Sequence, residues 1–198
     1  MPAAARDKYV VLTIDDSPSS RTNEILDLLN RHEVKASFFV HTDQIYDADR
    51  EASMLRIERD GHDVANHMPA DISGGTLTTE QFRLEFLKSH EKLLQYPDAF
   101  RPWFRPPQGV YKHRRMIETL REFGYDQPFS FSRRRNHLMA SFAPWDATGA
   151  TNGPNEVKNR EAAARYADQL LRCIYAGVIV VFHDGEEQNQ QQRLASTL

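Results

Sequence analysis

Tyr9-Val10-Val11-Leu12-Thr13-Ile14-Asp15-Asp16-Ser17-Pro18-Ser19-Ser20 is the stretch whose reading decides the fold. Residues 9–14 are a continuous apolar, β-branched run, the pattern of a strand covered on both faces. Asp15 to Ser20 reads as loop chemistry. Behind it, Ile25, Leu28 and Leu29 fall at i, i+3, i+4, so residues 22–31 read as an amphipathic helix. The same rhythm repeats along the chain. Ala36–Val40 reads as a second buried strand, Asp49 to Asp60 as a helix closed by Gly61, and Asp63–Asn66 as a third strand. Thr78 and Gln81 offer a capping box for a helix whose apolar face is Phe82, Phe86, Leu87, Leu93 and Leu94. Trp103-Phe104 reads as a short strand, residues 112–123 as a helix ending at Gly124, and 126–131 as a weaker strand. Residues 160–173 read as helix and Val178–Phe182 as the last strand. Alternating strands and helices predict right-handed βαβ units, hence an α/β fold with a parallel sheet or barrel and helices outside. Residues 132–157, with Arg133-Arg134-Arg135, Pro144, Gly149, Gly153 and Pro154, break the rhythm and read as a long surface excursion.

The chain has 198 residues and a formal net charge of −3. That length suits one domain over 1–198, or two small ones at most. The charge gives no reason to expect nucleic acid or an anionic membrane as partner. The longest apolar run, Tyr175 to Phe182, is far below the ~20 residues of a membrane-spanning helix. Met1 to Lys8 has no secretory apolar core, so a cytoplasmic location is expected if the chain is full length and an extracellular one if it is trimmed. The single cysteine, Cys173, excludes an internal disulfide and a cysteine-based zinc site.

Residues able to do chemistry follow strand after strand. Asp15-Asp16 follow the first, His67 the third, Arg105 the fourth and His183-Asp184 the last. In parallel α/β folds the strand C-termini open on one face, where ligands bind. Taken alone, each signal has a plain alternative. Asp15-Asp16 reads either as a turn with two solvated carboxylates or as a pair in which one binds a cation and the other takes a proton. His67 and Asp71, four residues apart, read as two metal ligands or as a surface histidine beside an N-cap. Arg105-Pro106-Pro107-Gln108-Gly109 is a rigid turn. It could hold the Arg105 guanidinium against a carboxylate and the Gln108 N–H towards an oxyanion, or be only a turn. His183 reads as a proton donor or as a histidine satisfied by Asp184. His32, His41, His62, His90, His113 and His137 read as surface or structural. Trp103, Tyr111 and Trp145 are candidates to stack on sugar rings, or core aromatics.

Together these segments resemble the polysaccharide deacetylases, the NodB homology domain of carbohydrate esterase family 4. Thr13-Ile14-Asp15-Asp16-Ser17-Pro18 is similar to the family's Thr-Phe-Asp-Asp-Gly-Pro motif, and Gly61-His62-Asp63-Val64-Ala65-Asn66-His67 to its second. Arg105-Pro106-Pro107-Gln108-Gly109 resembles its Arg-x-Pro-Tyr turn and Val181-Phe182-His183-Asp184 its closing Leu-x-His motif. Lys35–Val40 fits its second strand. The resemblance implies a distorted (β/α) barrel of seven strands or fewer. The implied activity removes N- or O-acetyl groups from sugar polymers or oligomers such as chitin or peptidoglycan glycans. It also implies a divalent metal, zinc foremost, with cobalt or manganese as substitutes. By position, Asp15 would be the general base, Asp16, His67 and Asp71 the metal ligands, Arg105 the partner of Asp15, the Gln108 N–H an oxyanion donor and His183 the general acid.

Three departures stand out. The family's second metal histidine is Asp71 here, the tyrosine of the third motif is Gln108, and Asp146 is the nearest candidate for the fourth. A centre with two aspartates and one histidine would carry no net charge with zinc, so weaker zinc binding and a more alkaline optimum are expected. These departures also leave two alternatives: a silent carbohydrate-binding relative, and an amidohydrolase of a small non-sugar amide.

Overall fold

A computed structural model describes residues 10–109, 113–125, 137–139, 168, 171–172 and 178–184, with backbone only at 113–115 and 137–139. The chain divides into two compact units. One comprises Thr13–Phe131 with His183–Glu186, the other Met1–Leu12, Ser132–Phe182 and Glu187–Leu198.

The larger unit runs β1 (Val11–Ser17, begun in the smaller unit), α1 (Thr22–Arg31), β2 (Ser37–Val40), α2 (Ala48–Arg59), β3 (Asp63–Asn66), α3 (Thr79–Leu93), β4 (Phe100–Phe104) and α4 (His113–Glu122). Its strands lie in the order β4-β3-β2-β1. Each neighbouring pair is parallel. Ser37, Phe38, Phe39 and Val40 are all buried, as are Val64, Ala65 and Asn66, the burial that a parallel strand covered on both faces requires. In the smaller unit β5 (His137–Met139) pairs in parallel with residues 179–181 of β6 (Ile179–His183, whose last residue belongs to the larger unit), and the Val11 N–H donates to the Val178 carbonyl at 3.0 Å. The α/β class with parallel strands stands as expected. Six strands lie among the described residues, within the predicted limit of seven. No described helix is long and apolar enough to cross a membrane.

Local signals set most boundaries. The Thr78 hydroxyl accepts the Gln81 N–H and the Gln81 side chain accepts the Thr78 N–H, the expected capping box of α3. Asp47 caps α2 by accepting the Arg50 N–H at 2.8 Å. Gly124, at φ 79°, closes α4, and the Tyr125 N–H returns to the Leu120 carbonyl at 2.8 Å.

Three expectations need correction. First, β1 does not stop at Ile14 but continues through Asp15 and Asp16 to Ser17. Second, β5 lies inside the stretch read as a surface excursion; three residues of strand are too few to show a period. Third, Leu94 is exposed, and the buried stripe of α3 is Phe82, Phe86, Ser89 and Leu93. Ser89 enters that stripe because its hydroxyl donates to the Asn66 Oδ1 at 2.9 Å. Residues 126–131, and all of 160–173 except 168, 171 and 172, lie outside the described residues.

Beneath β3 and β4 the core is aromatic. Met68, Phe82, Phe86, Phe104, Met116, Leu120 and Tyr125 form one buried cluster. Phe86 is fully buried and meets Phe104 edge-on at 5.4 Å and Tyr125 at 4.8 Å. This packing fixes α3 against β4, whose end carries Arg105. Phe86→Ala is expected to cost about 3–5 kcal/mol of unfolding free energy. Urea denaturation checks this, and a loss below about 1 kcal/mol would contradict the core assignment.

Candidate metal centre and active site

The site grows from an irregularity in β1. Asp15 pairs with Phe39 but Ser17 pairs with Val40, so Asp16 is an extra residue bulged out of the ladder, with φ at 64°. Consecutive side chains in a regular strand point to opposite faces. The bulge brings both carboxylates to one place: His67 Nε2 lies 4.0 Å from Asp15 Oδ2 and 3.4 Å from Asp16 Oδ1. Met68 and Gln108, beside the same site, also hold positive φ, at 67° and 57°. Non-glycine residues persist there only when surrounding contacts hold them.

Asp16, His41 and His67, all buried, offer ligand atoms within 4.8 Å of one another. His41 follows β2 and His67 follows β3, and their rings stack at 4.5 Å. Asp71 is not in this set. It lies half-buried in the bend beyond His67, where its main-chain carbonyl accepts the Gln108 side-chain amide at 3.5 Å. The third member of this cluster is His41, a histidine expected to be surface or structural.

The hydrogen bonds orient these rings for a cation. His67 Nδ1 lies 2.6 Å from the Arg105 carbonyl, and His41 Nδ1 lies 3.4 Å from the Met68 carbonyl. A carbonyl only accepts, so each Nδ1 carries a proton and each ring turns its Nε2 inward. Both face the same oxygen, Asp16 Oδ1, at 3.1 Å from His41 and 3.4 Å from His67. Two lone pairs against a carboxylate oxygen require either protons or a metal ion between them. Backbone carbonyls on the outer nitrogens are the usual support of histidine ligands. The residues fit a divalent metal of the zinc class.

Burial raises the Asp16 carboxyl, but hydrogen bonds and charge from His67 and His41 more than offset it and hold the group far below its ordinary 3.8. Burial lowers His67, but the charges of Asp15 and Asp16 and the bond to Asp16 raise it above 6.5 overall.

Asp15 is held separately. The Arg105 Nη1 pairs with Asp15 Oδ1 and donates to Thr13 Oγ1 at 3.1 Å, and both members of the ion pair are 1% exposed. The guanidinium lies over the Phe39 ring at 3.9 Å from its centroid. The Arg105 N–H donates to the Asn66 carbonyl at 3.0 Å, which ties the turn to β3. Gln108 is exposed on that turn, Trp103 is half-buried in β4, and His183 is half-buried at the end of β6. The Asp184 N–H donates to the Asp15 carbonyl at 2.7 Å. Tyr111, Trp145 and Asp146 lie outside the described residues.

This parallel α/β architecture gathers paired aspartates and histidines at the strand ends. The polysaccharide deacetylase family matches residues 3–128, and the chain belongs to it. It is similar to the peptidoglycan-N-acetylglucosamine deacetylase PgdA of Listeria monocytogenes, with 32% identity over 56% of this chain and 23% of that protein. Among solved structures it resembles a family 4 carbohydrate esterase from Streptomyces lividans in complex with acetate. That match has a TM-score of 0.69 and 19% identity, over 96% of this chain and 90% of the other. It also resembles a family 4 pseudoenzyme from Bacillus anthracis, with a TM-score of 0.67 and 19% identity over 97% and 60% of the two chains. Against curated relatives the chain is short, spanning 62% and 23% of two of them.

Two outcomes follow. His41→Ala and His67→Ala should each weaken zinc binding at least tenfold in a competition titration with a chromophoric chelator, while Asp71→Ala changes it less than threefold. A larger loss from Asp71→Ala than from His41→Ala would contradict the ligand set. The second concerns pH. In metal-free protein the raised His67 contributes stability that is complete below 6.5 and lost as pH rises through its folded value. The depressed Asp16 contributes above 3.8 and loses it as pH falls through its folded value. Zinc needs the neutral imidazole. Raising pH from 6.5 should therefore lower the melting temperature of metal-free protein and increase the stabilisation that added zinc gives. Parallel pH trends in the two forms would contradict this.

Proposed function

We propose that this chain is the catalytic domain of a metal-dependent deacetylase acting on N-acetylated or O-acetylated sugar oligomers or polymers, of the class found in peptidoglycan and chitin. The observation that carries this reading is the pairing of a cation-ready cluster, Asp16, His41 and His67, with a separate buried carboxylate, Asp15, held by Arg105. Such a division of labour suits hydrolysis of a carbonyl compound by water. A zinc-class cation at the cluster would polarise the acetyl carbonyl and acidify a water. Asp15 takes the proton of the attacking water, and Arg105 pairs with that carboxylate and aims it. The Gln108 main-chain N–H, held by the two prolines before it, supports the negative charge that grows on the carbonyl oxygen. His183 protonates the departing amine or alcohol. Trp103, Tyr111 and Trp145 are the proposed stacking surfaces for sugar rings.

Relatives named as peptidoglycan and chitooligosaccharide deacetylases support the substrate class. The alternative of a silent sugar-binding relative rested on the missing metal histidine and on the altered third and fourth motifs; the cluster bears on the first of these. With one aspartate and two neutral histidines, a zinc ion at the cluster keeps a net charge of +1, which removes the ground for expecting weak zinc binding and an alkaline optimum. Acetate release from N-acetylglucosamine oligomers tests the reading. It should vanish on chelation, return with zinc, cobalt or manganese, and fall at least a thousandfold in Asp15→Asn with metal binding retained. Full activity in Asp15→Asn would overturn the role of Asp15, and no release with any metal would overturn the function.

A further inference from the structure

Asp184 is 3% exposed, and its carboxylate gathers three hydroxyls from one short segment. Ser17 Oγ donates to Oδ2 at 3.0 Å, Thr22 Oγ1 donates to the same oxygen at 2.5 Å, and Ser19 Oγ donates to Oδ1. The donors also brace one another: the Ser19 N–H donates to Thr22 Oγ1 at 2.7 Å and the Arg21 N–H to Ser19 Oγ at 2.9 Å. On its main-chain side, the Asp184 N–H donates to the Asp15 carbonyl at 2.7 Å. One residue thus holds both ends of the segment 15–22, which contains Asp15, the bulged Asp16 and the entry to α1. A buried carboxylate needs several hydrogen bonds to be tolerated, and a helix entry alone needs no acidic group from a chain segment so distant in sequence.

Resting on the function proposed above, we propose that Asp184 is a positioning residue for the reaction: its carboxylate clamps Ser17, Ser19 and Thr22, and so fixes the bulge that presents Asp15 and Asp16 and sets that bulge beside His183. The left-handed backbone at Asp16 needs surroundings that over-determine it. The cluster supplies contacts on the Asp16 side chain, and the clamp supplies them on the backbone just after it.

The test uses the full chain with Asp184→Asn, which keeps the shape, and Asp184→Ala. Ser19→Ala and Thr22→Val serve as milder variants that each remove one donor. Amide hydrogen exchange of residues 13–22 should rise at least tenfold in Asp184→Ala and less in Asp184→Asn, with α3 exchange unchanged. With zinc bound, acetate release from N-acetylglucosamine oligomers should show kcat at least tenfold lower in Asp184→Ala and KM within twofold. Ser19→Ala and Thr22→Val should move both readouts in the same direction by a few fold. Exchange that rises equally across the whole unit, or kcat unchanged in a variant that remains folded, would overturn the proposal. If the wild-type protein releases no acetate with any metal, the functional reading falls, and local exchange alone decides whether the clamp exists.

Discussion

Two adjacent aspartates in a buried parallel strand face a geometric conflict, because successive side chains point to opposite sides of a sheet. The bulge at Asp16 resolves it, and the rest of the site depends on that local departure. A left-handed residue between Asp15 and Ser17 shifts the register against β2 and turns both carboxylates towards His67. Two buried negative charges so close would repel, so each has its own counter-charge. Arg105 takes Asp15, and the histidine pair, or a cation between them, takes Asp16. Separate partners let the two groups serve separate chemical roles.

Support for this arrangement comes from outside it. The aromatic cluster under β3 and β4 holds the turn from which the Arg105 guanidinium and carbonyl both act. One end of that residue orders Asp15 and the other fixes the His67 tautomer. Removing Arg105 would therefore disturb Asp15 and His67 together. Phe39 adds an aromatic face under the guanidinium, which shields the Asp15 pair from water.

Much of this was legible in the sequence, for identifiable reasons. Buried strands such as Phe38-Phe39-Val40 announce themselves by continuous apolar runs, and the α3 capping box by residue types at fixed spacing. The strand-end rule found Asp15, Asp16, His67 and Arg105, which the structure gathers at one site. It would have found His41 too, since that histidine directly follows Val40. Attention to a His-x-x-x-Asp spacing drew the reading to Asp71 instead, which lies outside the cluster. A linear spacing describes one loop, whereas metal ligands are gathered from several strand ends. The bulge was not legible, because it depends on pairing with β2 rather than on local propensity. Ser17, Ser19 and Thr22 look like ordinary turn and cap residues until Asp184, far along the chain, is placed among them.

The central claim is that the metal ligands are Asp16, His41 and His67. X-ray absorption at the zinc edge of the stoichiometrically loaded protein tests it most directly, because imidazole rings give multiple-scattering features that carboxylates lack. Two imidazoles with oxygen donors completing the shell is the predicted result, with one imidazole lost in His41→Ala. A single imidazole in the wild-type spectrum would contradict it and return the third position to an oxygen ligand such as Asp71.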